Sequence, residues 1–288
     1  MSSSGPSRLR ELISGNQLVV APGVYDGLTA RLVEAAGFTA AYMTGAGVAA
    51  SLGYPDYGLI TMNEMTERAG VVARTLSVPL ISDADTGYGN ELNVTRAVRE
   101  FEARGVAAIH IEDQVAPKRC GHLAGKQLVS LNEYVSKIRA AVAARRNPDF
   151  LIIARSDART VTSLDDAIER VNAGLAAGAD IGFVESPLSL DEVAEIPRRV
   201  KGPCLLNIVQ GGRTPYPNLH EVQQLGYKLA IVPAALLVST LVAGDAGLAT
   251  LRDSGMPVDA PAGLDIPELF RRFGAPEWDE VRARVEAA

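Results

Sequence analysis

The 288-residue chain is short of the residues that mark several protein classes: it has two cysteines, three histidines and one tryptophan. Two cysteines, Cys120 and Cys204, make no disulfide framework, and a reducing cytoplasm is the expected setting. The histidines, at 110, 122 and 220, show no H-E-x-x-H spacing, which argues against zinc. The G-x-S-x-G elbow of serine hydrolases is missing as well. There is no basic excess, since net charge is -6 and the pI about 5.2. Neither nucleic acid nor an acidic membrane surface is therefore an expected partner. The most apolar segment, 229–243, is broken by Pro233, Ser239 and Thr240 and falls short of the ~20 residues that span a bilayer. It reads as a strand running into a buried helix. Residues 1–7 are polar and lack an apolar core, so no signal peptide is expected.

What is present is a core and a repeating pattern. Hydrophobic residues make up 47% of the chain, enough for a sizeable interior. Apolar runs recur at 18–22, 40–44, 80–85, 108–112, 151–155, 181–185, 204–208 and 229–233. Their unbroken apolarity marks strands buried on both faces, as in a parallel sheet. Between them the period turns helical. Val94, Ala97, Val98 and Phe101 form one stripe, stopped by Gly105. Leu164, Ile168, Val171 and Leu175 form another, opened at Ser163 with Asp166 three residues on and closed by Gly178. Eight strands alternating with helices predict an α/β fold, a (β/α)8 TIM barrel, which typically takes roughly 250 residues. No linker or low-complexity tract interrupts it, so 1–288 reads as one domain. A helical extension is expected from about residue 244, with at least one helix near 267–273 or beyond.

The polar residues gather at strand ends, where a barrel builds its site. These are Thr44, then Asp83 and Asp85, Glu112 and Asp113, Arg155 and Asp157, Glu185, and Asn207. Asp83 and Asp85 can both reach one ion if the strand breaks its alternation at Ala84. With Asp56 and Glu112 they make an oxygen-only set suited to Mg2+ or Mn2+. The run 45–50 fits G-x-G-x-x-A, but the loop 51–58 and the lack of an acidic strand end argue against a dinucleotide. The amides of Gly45 and Ala46 still suit a small carboxylate. Cys204 reads as a core residue. Cys120 lies in the polar loop 114–130, too long for a plain βα turn and hence a candidate lid. Lys118, Arg119 and His122 beside it are expected to lower its pKa and leave a reactive thiol, as nucleophile or as acid.

With the K-R-C-G-H run at 118–122, the D-A-D-T-G run at 83–87 and the barrel, the chain resembles the isocitrate lyase and phosphoenolpyruvate mutase superfamily over about residues 8–244. K-R-C-G-H points to its lyase branch, among the methylisocitrate and 2,3-dimethylmalate lyases. The resemblance implies Mg2+ in the barrel, a mobile loop over the substrate, and a homotetramer that exchanges a C-terminal helix. By matching position, Asp83 and Asp85 would hold Mg2+, while Asp56 and Glu112 orient its waters. Thr44, Gly45 and Ala46 would hold the carboxylate of a pyruvate-like product. Gly121, Arg155, Glu185 and Asn207 would line the pocket with Pro233, and Tyr42 would lie beside the reacting hydroxyl. Cys120 would be the general acid, flanked by Lys118 and His122.

The implied reaction is carbon–carbon cleavage of a 2-hydroxy dicarboxylate to a 2-oxo acid and a carboxylate. Tyr42, a metal-bound hydroxide and Glu112 all remain open as acceptors of the hydroxyl proton. Some positions depart from the methylisocitrate lyases: Thr44-Gly45-Ala46 replaces Ser-Gly-Gly, and Ser156 replaces a threonine. The segment 209–215 looks more like the alkylmalate lyases, and 234–240 lacks the cation expected for a third carboxylate. An alkylmalate such as 2,3-dimethylmalate is therefore the expected substrate, walled by Leu237 and Val238. Alternatives are 2-methylisocitrate, oxaloacetate hydrolysis or decarboxylation, and phosphorus–carbon chemistry on phosphonopyruvate or phosphoenolpyruvate. Pro233 argues against the oxaloacetate hydrolases, which tend to carry serine there. A non-catalytic metabolite-binding barrel is the rival from another class.

Overall fold

The computed structural model describes residues 5–287, so the first four residues of the polar opening segment lie outside the described residues. Eight parallel strands close in sequence order into a barrel. They are β1 (Val19–Val24), β2 (Ala41–Met43), β3 (Leu80–Asp83), β4 (Ala108–Glu112), β5 (Leu151–Ser156), β6 (Ile181–Val184), β7 (Cys204–Asn207) and β8 (Leu229–Val232). Each falls on an apolar run read from the sequence, and the fold is the expected (β/α)8 barrel.

The helices are α1 (Gly5–Ser14), α2 (Gly27–Ala35), α3 (Gly45–Ser51), α4 (Met62–Thr75), α5 (Glu91–Ala103), α6 (Leu131–Ala144), α7 (Leu164–Ala176), α8 (Leu190–Arg199), α9 (Leu219–Gln224), α10 (Ala235–Ser254), α11 (Ile266–Arg272) and α12 (Ala275–Glu286). Their starts are written locally. Asp26 with Thr29, Thr61 with Glu64, Asn90 with Asn93, and Asn218 with Glu221 form reciprocal capping boxes. Ser163 accepts the Asp166 N–H at 3.1 Å and opens α7 as expected. On α5, Val94, Ala97, Val98 and Phe101 are all buried.

The barrel interior is filled by Ile81, Leu151, Ile153, Ile181, Phe183, Leu205 and Ile231, joined by Leu9 and Ile13 of α1. A second apolar layer lies between strands and helices. At the closing seam Gly23 is required, because a Cβ there would lie 2.0 Å from the Pro233 carbonyl oxygen.

Between Leu237 and Val238 the chain divides into two compact units. The second holds most of α10 with α11 and α12. The helix expected near 267–273 is α11, and α12 follows it. The expected buried helix after β8 needs correction. At 20 residues with a mean hydropathy of 1.3, α10 is long and apolar enough to cross a membrane by length and composition. None of its residues is buried, and Leu236 and Leu237 at its start pack on the barrel's apolar layer.

Candidate active site

The polar strand ends converge as the barrel geometry requires. From β4 the loop 114–130 leaves as a narrow ribbon, with Val115 N donating to Gln127 O at 2.8 Å and Val129 N to Asp113 O at 2.9 Å. Its tip folds over the barrel mouth and encloses a cavity of about 90 Å³, room for a small acid rather than a dinucleotide. Tyr42, Thr44, Ala46, Asp56, Asp83, Lys118, Cys120, Gly121, His122, Arg155, Glu185, Asn207 and Pro233 all line it. Three expected residues do not. Asp85 and Glu112 sit buried behind the wall, and Gly45 backs onto Asp83, where a Cβ would lie 2.6 Å from Oδ2. Val238 is also absent from the lining, being 39% exposed in the second unit; Leu237 is joined instead by Val209 and Ala234.

The strand does break its alternation after β3. Ala84 is buried, and Asp85 takes a left-handed φ of 47°, which aspartate tolerates better than most residues. Asp85 N then donates to Asp83 Oδ1 at 2.9 Å. Burial works against the Asp83 charge, but His110, Lys118 and Arg155 hold its pKa down to about 2. Burial pushes Asp85 up to about 6, with Lys118 opposing and Asp83 and Asp56 adding to the rise. Glu112 is raised well above the usual carboxylate range by burial, against the pull of Arg155.

Cations over the mouth are committed to partners. Lys118 Nζ lies 2.5 Å from Asp56 and 3.0 Å from Asp85. Burial disfavours its charge, yet Asp85, Asp83 and Asp56 keep it firmly protonated. Arg155 is within 3.2 Å of Glu112 and 3.7 Å of Glu185, and its Nε donates to Asp157 at 2.9 Å. Arg119 stands over the Tyr57 ring at 5.9 Å. His122 Nε2 is 3.2 Å from Glu185, and burial lowers the imidazole pKa.

These pairings overturn the expected thiol chemistry. Burial raises the Cys120 pKa, and the His122 backbone N–H on the sulfur only partly offsets it. The cations adjacent in sequence are spent on Asp56, Asp85 and Tyr57. Cys120 thus keeps its proton at neutral pH, which suits an acid and not a nucleophile. Tyr42 is corrected too. Burial and then Asp83 hold its phenol well above 10, so it is no base at neutral pH.

Sequence reasoning missed His110. Its Nε2 lies 2.7 Å from the Tyr42 hydroxyl and 3.5 Å from Asp83, and its ring stacks on Tyr42. Burial lowers its pKa to about 4, so it is neutral. The available signal was the period of two on β4, which puts 108, 110 and 112 on one face.

For a metal, the donor chemistry fits. Among the described residues no three His, Cys, Asp or Glu side chains converge on one point. That is compatible with Asp83 and Asp85 as the direct holders and with Asp56 and Glu112 acting through water. Mg2+ commonly binds through one or two carboxylates and keeps several waters. Neither Glu112 oxygen has an aligned hydrogen-bond partner among the described residues. A buried carboxylate in that condition suits a cation's water shell.

The chain belongs to the phosphoenolpyruvate mutase and isocitrate lyase superfamily. The family described as phosphoenolpyruvate phosphomutase matches residues 9–251. The chain is similar to 2,3-dimethylmalate lyase of Eubacterium barkeri, at 49% identity over 93% of this chain and 92% of that one. It is similar at 47% identity to 2-methylisocitrate lyase of Aeropyrum pernix, over 96% and 90% of the two chains. Among solved structures, oxaloacetate acetylhydrolase bound to 3,3-difluorooxalacetate superposes with a TM-score of 0.95 at 40% identity, covering 98% and 97%. By class the chain is a carbon–carbon lyase.

Proposed function

We propose that this lyase cleaves a 2-hydroxy dicarboxylate of alkylmalate type, such as 2,3-dimethylmalate, to pyruvate and a second carboxylate, with Mg2+ or Mn2+ bound. One observation carries the choice of substrate. The cavity has an apolar wall of Val209, Pro233, Ala234 and Leu237, and both its fixed cations, Lys118 and Arg155, are already paired. A third carboxylate left unpaired in a closed pocket costs on the order of 3–5 kcal/mol. Arg213 is exposed and outside the lining, and Arg271 and Arg272 are ion-paired to Glu268.

In this reading the Thr44–Ala46 turn, which opens α3, binds the carboxylate beside the reacting hydroxyl. Asp83 and Asp85 would hold the metal, with Asp56 and Glu112 beside them, and a bound divalent cation would supply positive charge against a developing oxyanion. Arg155 adds fixed positive charge, and the lid excludes water. Loss of the hydroxyl proton lets the carbon–carbon electrons leave with the carboxylate-bearing carbon, which takes the proton held at Cys120 Sγ. Glu112 and a metal-bound hydroxide remain as acceptors of the hydroxyl proton. Pro233 in the lining favours the lyase over oxaloacetate hydrolysis.

We place the enzyme in the cytoplasm as a homotetramer. Support comes from two free cysteines and from the exposed Leu241, Val242, Leu248 and Trp278 of the second unit. The deciding experiment compares kcat/KM for 2,3-dimethylmalate, 2-methylisocitrate and oxaloacetate with Mg2+, following 2-oxo acid release. A preference for methylisocitrate removes the dicarboxylate reading, and no turnover on any of them removes the lyase reading.

A further inference from the structure

Beside the site the mechanism leaves the buried cation Lys126 without a task. Lys126 is 8% exposed, lies near the base of the lid ribbon and does not line the cavity. Its ammonium donates to two acceptors, the Gly121 carbonyl oxygen at the lid tip and Asp157 Oδ1 at 3.0 Å. Asp157 is fully buried and receives both Nε and Nη2 of Arg155, at 2.9 and 3.2 Å. Its backbone is fixed in turn, since Asp157 N donates to Asp113 at 2.8 Å. The Gly121 carbonyl also accepts from Ser186 Oγ at 3.2 Å. One ammonium therefore ties the Gly121–His122 peptide, one residue beyond Cys120, to the carboxylate that aims Arg155.

We propose that Lys126 is a positioning residue, the latch that fixes the closed lid and sets Cys120 and Arg155 in register with each other. The inference rests on the lyase reading above for its catalytic consequence but not for its structural one. Lys118 on Asp56 and Asp85, and Cys120 N on Asp56 O, still hold one side of the lid tip, but without Lys126 the Gly121–His122 peptide loses its tie to Asp157. Misplacement by an ångström costs roughly 10²-fold in rate. Neither Lys126 nor Asp157 touches the cavity, so the loss falls on kcat more than on KM.

The test uses Lys126→Met in the full chain, which keeps the length and apolar stem and removes the charge. Two readouts are taken: steady-state kinetics with the preferred alkylmalate, and the iodoacetamide alkylation rate of Cys120 without ligand, mapped by mass spectrometry with Cys204 as the internal control. The expected result is a kcat loss of about 10²-fold with KM changed far less. Cys120 alkylation should accelerate about tenfold, the order expected when a buried thiol gains solvent. Cys204, in β7, should react as slowly as before. Unchanged kcat with unchanged Cys120 alkylation overturns the latch. So does a rise at both cysteines, which marks a barrel loosened as a whole. Should Lys126→Met fail to fold, Lys126→Gln loses the charge but keeps a donor and is read by the same criteria. Alkylation needs no turnover, so an unsubstituted protein inactive on every substrate removes the lyase reading while the thiol measurement still judges the latch.

Discussion

Cys120 shows how a side chain takes its chemistry from partners distant in sequence. With its proton retained by burial, it can deliver that proton to a departing carbon. Cys120→Ser should bind substrate normally and lose ~10²–10⁴-fold in kcat, the usual worth of a general acid. Cys204→Ser, measured alongside, should leave kcat unchanged. A second expectation follows from the buried carboxylates. Asp85 and Asp113 both titrate at about 6 in the fold against an ordinary 3.8, each because of burial. Folded pKa values raised in this way favour the fold fully below 3.8, and the benefit is lost as pH rises through about 6. Each is worth on the order of 3 kcal/mol. His110, held down to about 4, acts in the opposite sense over the same range, so the carboxylate contribution is read by difference: in metal-free protein Asp113→Asn should lower Tm at pH 5 relative to its effect at pH 8. Added Mg2+, which needs deprotonated carboxylates, should raise Tm more at pH 8 than at pH 5. Calorimetry with chelator and then with Mg2+ checks both signs. The charged strand ends were legible because each closes an apolar run. The state of Cys120 was not, because the sequence shows Lys118 beside it and hides Asp56, 62 positions away.

At the scale of elements, the strands were legible to within a residue or two, since runs buried on both faces carry a strong signal. Short α3 was not, because Gly45, Gly47 and three alanines have no apolar periodicity, and only the Thr44 cap announces it. The rejected dinucleotide motif therefore does open a helix, but one of seven residues. Two glycines make sharp tests of how elements meet. Gly45→Ala places a Cβ against the Asp83 carboxylate, so Mg2+ affinity measured by calorimetry should fall while the barrel stays folded. Gly23→Ala drives a Cβ into the Pro233 carbonyl at the seam of β1 and β8. Overpacking of that kind costs typically about 1–3 kcal/mol and here acts on backbone that borders the cavity. Both a lower Tm and a higher KM are expected, and a change in Tm alone would mean that Pro233 does not shape the pocket.

For the whole molecule, the second unit carries the largest departure from expectation. A segment read as a buried helix is instead α10, apolar and uncovered, followed by α11 and α12 with Phe270, Trp278 and Val285 exposed. Hydropathy alone tells that a helix will be covered, but not whether its own chain does the covering. If subunits of a tetramer do, sedimentation should show one species near four times 30.4 kDa, and Leu248→Glu should shift it toward smaller species. A monomer at every concentration would refute the assembly. Trp278 is the chain's single tryptophan, it lies in α12, and it is 72% exposed in the isolated chain. The barrel therefore contributes no indole emission, and the intrinsic fluorescence of this protein reports on its terminal helices alone. Emission should lie to the blue while partner subunits shield α12 and move to the red on dilution, a label-free measure of assembly to which events at the active site add no tryptophan signal of their own.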